Sequence, residues 1–99
     1  MRALLLLFAT VAFSQEPVVV RSISFDHFKK VPVSEILDRL KEREVRLSVE
    51  HPYRPEDAEE ARNYIAQLLA EKGKPNARIE IATKVVSPRR VDVRFKLLN

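Results

Sequence analysis

The last part of the chain alternates between apolar and polar residues. From Ala77 to Val86, Ile79, Ile81, Thr83 and Val85 share one face, while Arg78, Glu80, Ala82 and Lys84 share the other. From Arg90 to Leu97, Val91, Val93, Phe95 and Leu97 alternate with Arg90, Asp92, Arg94 and Lys96. A period of two marks half-buried strands, and Ser87-Pro88-Arg89 reads as a short hairpin connection between them. A lone two-stranded ribbon is marginal in water. Further strands or a helix packed on its apolar face are needed for it to be stable.

The residues before the ribbon contain such pieces. Val18 to Phe25 is rich in β-branched residues and reads as a strand, with Ile23 and Phe25 on one face and Ser22 and Ser24 on the other. Val33, Ile36, Leu37 and Leu40 fall at helical spacing, which predicts a short helix from Val33 to about Arg43. Glu44 to Arg54 reads as a linker. Pro55 to Lys72 is a second helix: Pro55 suits the first helical position, and Glu56, Asp57, Glu59 and Glu60 favour its positive end. Ala58, Ala61, Ile65 and Leu68 form its apolar stripe, flanked by Tyr64 and Leu69, and Gly73 is the expected residue just past its end. The order strand, helix, helix, strand, strand predicts an α+β fold, with a mixed sheet covered by two helices on one face and wet on the other. The expected core is Ile23, Phe25, Val33, Ile36, Leu37, Leu40, Ala61, Ile65, Leu68, Ile79, Ile81, Val91, Val93 and Phe95.

The first residues fall outside this pattern. Met1-Arg2 is followed by an uncharged apolar run, Ala3 to Phe13, and then by small residues at Ala12 and Ser14. This is the layout of a secretory signal peptide, and the run is well short of the roughly 20 residues a membrane span needs. The expected division is 1–14 as the signal and 15–99 as one domain. The leader carries one charge, Arg2, so removing it leaves an excess of three positive charges out of the four in the whole chain. The chain has no cysteine, which excludes disulfides, thiolate metal sites and a thiol nucleophile. Its single glycine excludes glycine-rich phosphate loops.

Catalytic constellations are absent from the pattern. The six serines, Ser14, Ser22, Ser24, Ser34, Ser48 and Ser87, include none in a nucleophile-elbow context. His27 and His51 read as loop residues. A zinc site built from them with Asp26 and Glu50 lacks helical or hairpin ligand spacing. The acids from Glu56 to Glu60 are accounted for by the start of a helix. The residues predict a protein without enzymatic activity and without a cofactor or metal.

The ordered set of local sequences resembles the POTRA (polypeptide-transport-associated) domain. Val-Val-Arg-Ser-Ile-Ser-Phe at 19–25 is similar to the first strand of that family. Pro-Tyr-Arg-Pro-Glu-Asp at 52–57 is similar to its approach to the second helix, Ile-Ala-Gln-Leu-Leu-Ala-Glu-Lys-Gly at 65–73 to the end of that helix, and Val-Asp-Val-Arg-Phe at 91–95 to the closing strand. Two positions depart from the family: Asp26-His27 and Glu50-His51 stand where a glycine is usual. Asp and His tolerate positive φ better than most residues, so both turns are expected to form.

The resemblance implies a single βααββ domain with a three-stranded mixed sheet. It also implies a place in the periplasm or at the periplasmic face of the outer membrane, as in BamA-type β-barrel assembly factors. Partners would be outer-membrane protein clients or assembly-complex subunits, bound by strand addition at a sheet edge, with no nucleic acid. In the family arrangement the strand after the second helix lies at that edge, here Arg78, Ile79, Glu80, Ile81, Ala82, Thr83 and Lys84. Their charges fit a guarded edge as well as a binding one. A proline block would belong at Glu80 or Ala82 if their N–H groups point outward, which the pairing partner decides. Other readings are a structural docking domain, a truncated remnant of a larger assembly factor, or a basic surface at Arg90, Arg94 and Lys96 that touches anionic lipid head groups.

Overall fold

The computed structural model describes residues 18–99, so the proposed leader lies outside the described residues. Five elements follow in the expected order: β1 (Val19–Asp26), α1 (Val33–Glu42), α2 (Pro55–Glu71), β2 (Ile79–Ser87) and β3 (Arg90–Leu97). The strands form one sheet in the order β1-β3-β2. β3 pairs with β1 in parallel and with β2 antiparallel. Each edge strand carries an irregularity in register, at Val20/Ser22 in β1 and at Val85/Ser87 in β2. The first leaves Arg21 without a partner on β3. Arg21 and Ser22 consequently share the wet face, and both bond to Asp92.

The core lies between the sheet and the helices. Val93 and Phe95 of β3 are fully buried, as are Val20, Ile36 and Ala61. The Phe95 ring stacks on Phe25, its partner on β1, at 5.6 Å, and Phe25 meets Phe28 edge-on at 5.9 Å. The helix pair is latched along one seam. The Arg39 guanidinium donates to both carboxylate oxygens of Glu71 (3.0 and 2.7 Å), Lys72 pairs with Glu35 at 2.9 Å, and the Arg43 guanidinium lies over the Tyr64 ring at 5.4 Å.

Two expected core residues are exposed. Val33 and Leu37 each keep 45% of their surface open to solvent. α2 packs against β2 and α1 packs against α2, so α1 occupies the β1 side of the helical layer. Its Glu35 and Arg39 face α2 and its Ile36 and Leu40 are buried. At 100° per residue, Val33 and Leu37 fall on the flank turned away from α2. Leu47, Phe28 and Val31, in the connecting segments, fill the core instead.

The two helices end alike. After α2, the Lys74 N–H donates to Leu69 O (2.8 Å) and Gly73 N–H to Ala70 O (3.1 Å), with Gly73 at φ 96°. After α1, the Val45 N–H donates to Leu40 O and Glu44 N–H to Lys41 O, both at 3.0 Å, with Glu44 at φ 58°. Both are Schellman caps, but the second places a glutamate in the left-handed region. His27 (φ 69°) and Glu50 (φ 68°) also take the left-handed conformation, which shows how the two glycine-deficient turns form.

Substituting the two cap residues should have opposite effects. Glu44→Gly should stabilise by about 0.5–1 kcal/mol and Gly73→Ala should destabilise by about 1 kcal/mol, since only glycine is at ease at positive φ. Denaturant melts of both variants check the pair. Phe95→Ala should cost about 3–5 kcal/mol because it empties the centre of the core. A loss below about 1 kcal/mol in the same melts would contradict this packing.

Candidate protein-binding edge

Among the described residues, β2 has a hydrogen-bonded neighbour on one side only. Its register with β3 runs from Ile79↔Leu97 to Val85↔Val91 without interruption. Just before it, the Leu98 N–H donates to Arg78 O at 2.8 Å. In an antiparallel pair, backbone groups point alternately toward and away from the partner. The Leu98–Arg78 bond therefore directs the backbone groups of Arg78, Glu80, Ala82 and Lys84 toward β3. Those of Ile79, Ile81, Thr83 and Val85 point outward, along the open edge. Glu80 and Ala82 have solvent-side side chains, but their N–H groups face inward. A proline block belongs instead at the odd-numbered positions, because residues that share one face of a strand direct their backbone groups to the same side, and here the wet-face residues direct theirs to β3.

The side chains along this edge change character along its length. Ile79 is buried and Ile81 half-buried, while Thr83 and Val85 are exposed although they lie on the helix side of the sheet. Val85 keeps 71% of its surface open. The helical cover therefore ends partway along β2. On the opposite face, Glu80 and Lys84 are exposed and Ala82 is half-buried between them. The start of the strand is tied off by Asn99: its Oδ1 accepts from the Arg78 N–H and its Nδ2 donates to Asn76 O, both at 3.0 Å.

The other edge is partly closed. The segment before α2 runs beside β1, with the Val20 N–H donating to His51 O (2.9 Å), Glu50 N–H to Val20 O (2.8 Å) and Tyr53 N–H to Val18 O (2.7 Å). This segment reads in sequence as a plain linker, because His-Pro-Tyr-Arg-Pro carries no alternation. The same pairing places His51 and Glu50 at the start of β1, whereas Asp26 and His27 lie at its end. Six strand residues span about 20 Å, so the four residues cannot share a metal ion. His51 is held locally, its Nδ1 lying 2.9 Å from Ser48 Oγ.

The basic residues of the hairpin are mostly paired. Arg90 contacts Glu50 at 3.1 Å and Arg94 contacts Asp26 at 3.4 Å, while Lys96 has no ion-pair partner among the described residues. Asp92, between them in sequence, accepts from Arg21 Nε and Nη2 (2.9 and 2.8 Å) and from Ser22 Oγ (2.7 Å). These bonds, from Arg21 first and then Ser22, hold the Asp92 carboxyl below the usual carboxylate range. The Arg39 bonds do the same for Glu71.

A carboxyl held below its unfolded value contributes stability that is present above the unfolded range and lost as the pH falls through the folded one. Asp92→Asn should therefore melt below the wild type at neutral pH. The gap should close as the pH is taken below about 4. Thermal melts across that range check it, and a gap independent of pH would show that the carboxylate's charge contributes nothing.

The chain is similar in structure to the fourth POTRA domain of BamA from Haemophilus influenzae, seen in a crystal structure, with a TM-score of 0.67 at 16% identity over 83% of this chain and 91% of that one. No curated protein matches it. The sequence profile of the POTRA family, described as "Surface antigen variable number repeat", matches residues 18–97. With the βααββ order and the mixed β1-β3-β2 sheet, that match shows that the chain belongs to the POTRA family.

Proposed function

We propose that this protein is a non-enzymatic, protein-binding module of outer-membrane protein assembly or translocation. It takes up extended segments of clients or partner subunits as an added strand along β2. The observation that carries the reading is the outward row of backbone groups at Ile79, Ile81, Thr83 and Val85, on the edge strand's open side. Main-chain bonds along such a row supply affinity without regard to sequence, and the alternating side-chain positions supply selectivity. Glu80 and Lys84 beside it keep the pairing weak and reversible, as edge charges do. The proposed division of the chain, an export signal at 1–14 and the domain at 15–99, places this module in the periplasm. No helix among the described residues is long and apolar enough to cross a membrane. The pairing of Arg90 and Arg94 with acids weighs against the hairpin face as a lipid-binding surface.

A proline at an outward N–H separates binding from folding. Thr83→Pro should leave the domain folded and weaken the binding of unfolded outer-membrane protein segments by about tenfold or more, since it blocks the row on an exposed edge. Ala82→Pro should destabilise the domain, because its N–H is needed for the ladder to Arg94. Binding is followed by fluorescence anisotropy, with melts to confirm the fold. The Arg94→Glu, Lys96→Glu double variant should bind nearly as the wild type does. If Thr83→Pro binds normally and the charge reversal abolishes binding, strand addition is wrong.

A further inference from the structure

At the end of the domain where β1 and β3 finish, a cavity of about 140 Å³ opens to solvent. Three elements build it: the β1–α1 connection, the last turn of α2 and the residues that close β3. Phe28, Leu69 and Leu97 give it an apolar floor, Lys29, Lys30, Lys72 and Lys74 line it together with His27 and Asn99, and no Asp or Glu side chain is among the lining residues. Lys72 reaches Glu35, whereas Lys29, Lys30 and Lys74 have no ion-pair partner among the described residues. Leu69 O and Ala70 O already accept the cap bonds from Lys74 and Gly73.

We propose that this cavity receives one apolar side chain of an acidic segment of a partner protein, whose carboxylates meet the surrounding lysines. Charge complementarity fixes the sign of the partner. The volume fixes the anchor: an apolar cavity of about 150 Å³ holds one benzene-sized group. A phenylalanine or leucine side chain fills it, while a lipid acyl chain would leave most of its length in water. Buried aromatic anchors ringed by polar contacts are the usual centres of protein interfaces. The site uses none of the outward backbone groups of β2, so it stands independently of strand addition, and a partner can hold it while β2 is occupied.

The probe is a synthetic peptide with blocked ends, Gly-Glu-Asp-Phe-Glu-Asp-Gly, titrated into the protein and followed by amide NMR shifts. The shifts should centre on Phe28, Lys30, Leu69, Lys74 and Leu97. Replacing the peptide's Phe with Ala should weaken binding by about tenfold, the effect of withdrawing one buried apolar side chain. The Lys29→Glu, Lys30→Glu, Lys74→Glu variant should lose about tenfold or more, and raising the salt from about 0.05 to about 0.5 M should have a similar effect on the wild type. If the triple variant melts early, Lys74→Gln alone carries the test with a smaller loss. Thr83→Pro should bind the peptide normally, which separates this site from the β2 edge. The proposal is overturned by shifts confined to Ile79–Val85, by equal affinity for the Phe and Ala peptides, by self-association that accounts for all the shifts, or by binding to phosphatidylglycerol vesicles without any binding of the peptide.

Discussion

Among the described residues, β3 is the one strand with hydrogen-bonded neighbours on both sides, and the other elements are arranged by what its two pairings require. Pairing it antiparallel to β2 needs a tight turn, which Pro88-Arg89 provides between Ser87 and Arg90. Pairing it parallel to β1 needs a crossover, because parallel strands cannot be joined by a hairpin. The two helices and β2 lie within that crossover, and the helices cover the sheet face that β3 fills with Val91, Val93 and Phe95. Phe95 marks the junction of both pairings. Its backbone partners are Phe25 on β1 and Ile81 on β2, and its ring is stacked on Phe25.

A central strand with two neighbours leaves two edges, and the chain treats them differently. The start of β1 is covered by residues 50–53, which reach it through a left-handed turn at Glu50. On the wet face, Asp92 gathers Arg21 and Ser22 where the register of β1 shifts. Among the described residues, β2 receives no such cover. Its irregularity lies at the far end, beside the hairpin turn, and a continuous ladder precedes it. A continuous outward row is the geometry an added strand requires, since an extra residue within the row would reverse its direction. The difference between the edges lies in the backbone, where no side-chain inventory would reveal it.

The sequence made the elements legible because each carries a local signal. Alternation marked β2 and β3, and Pro55 and Gly73 bracketed α2 to within a residue or two of its observed ends. The burial of α1 was less legible. Its apolar stripe was readable, but periodicity cannot say that only one flank has a neighbour, so Val33 and Leu37 were expected inside. Leu47 and Val31 were missed for the opposite reason: they sit in irregular segments, where no period marks the inward direction. The direction of the backbone groups of β2 was beyond sequence reading altogether. Alternation gives the two faces of β2, but the side of the strand on which β3 lies decides whether the backbone groups of one face point inward or outward.

Charge followed a further rule that no linear pattern displays. Arg21, Arg39, Arg62, Arg90 and Arg94 each contact a carboxylate, whereas Lys72 is the one lysine among the described residues seen in a salt bridge. The planar guanidinium matches a carboxylate with two parallel bonds, as Arg21 does with Asp92 and Arg39 with Glu71, while an ammonium on a flexible stem gains less from a fixed partner. Among the described residues the unpaired positive charge therefore lies on Lys29, Lys30, Lys41, Lys74, Lys84 and Lys96, with Arg43, Arg46, Arg54 and Arg78 also outside any salt bridge. Lys29 and Lys30 precede α1 and Lys72 and Lys74 end α2, some forty residues apart in sequence. Neither pair stands out there, because charged residues in loops and at helix ends are ordinary. Only the crossover brings the two pairs to one end of the sheet and sets them around the apolar surface of Phe28, Leu69 and Leu97. The fold thus separates an open backbone edge from a concentration of uncompensated charge.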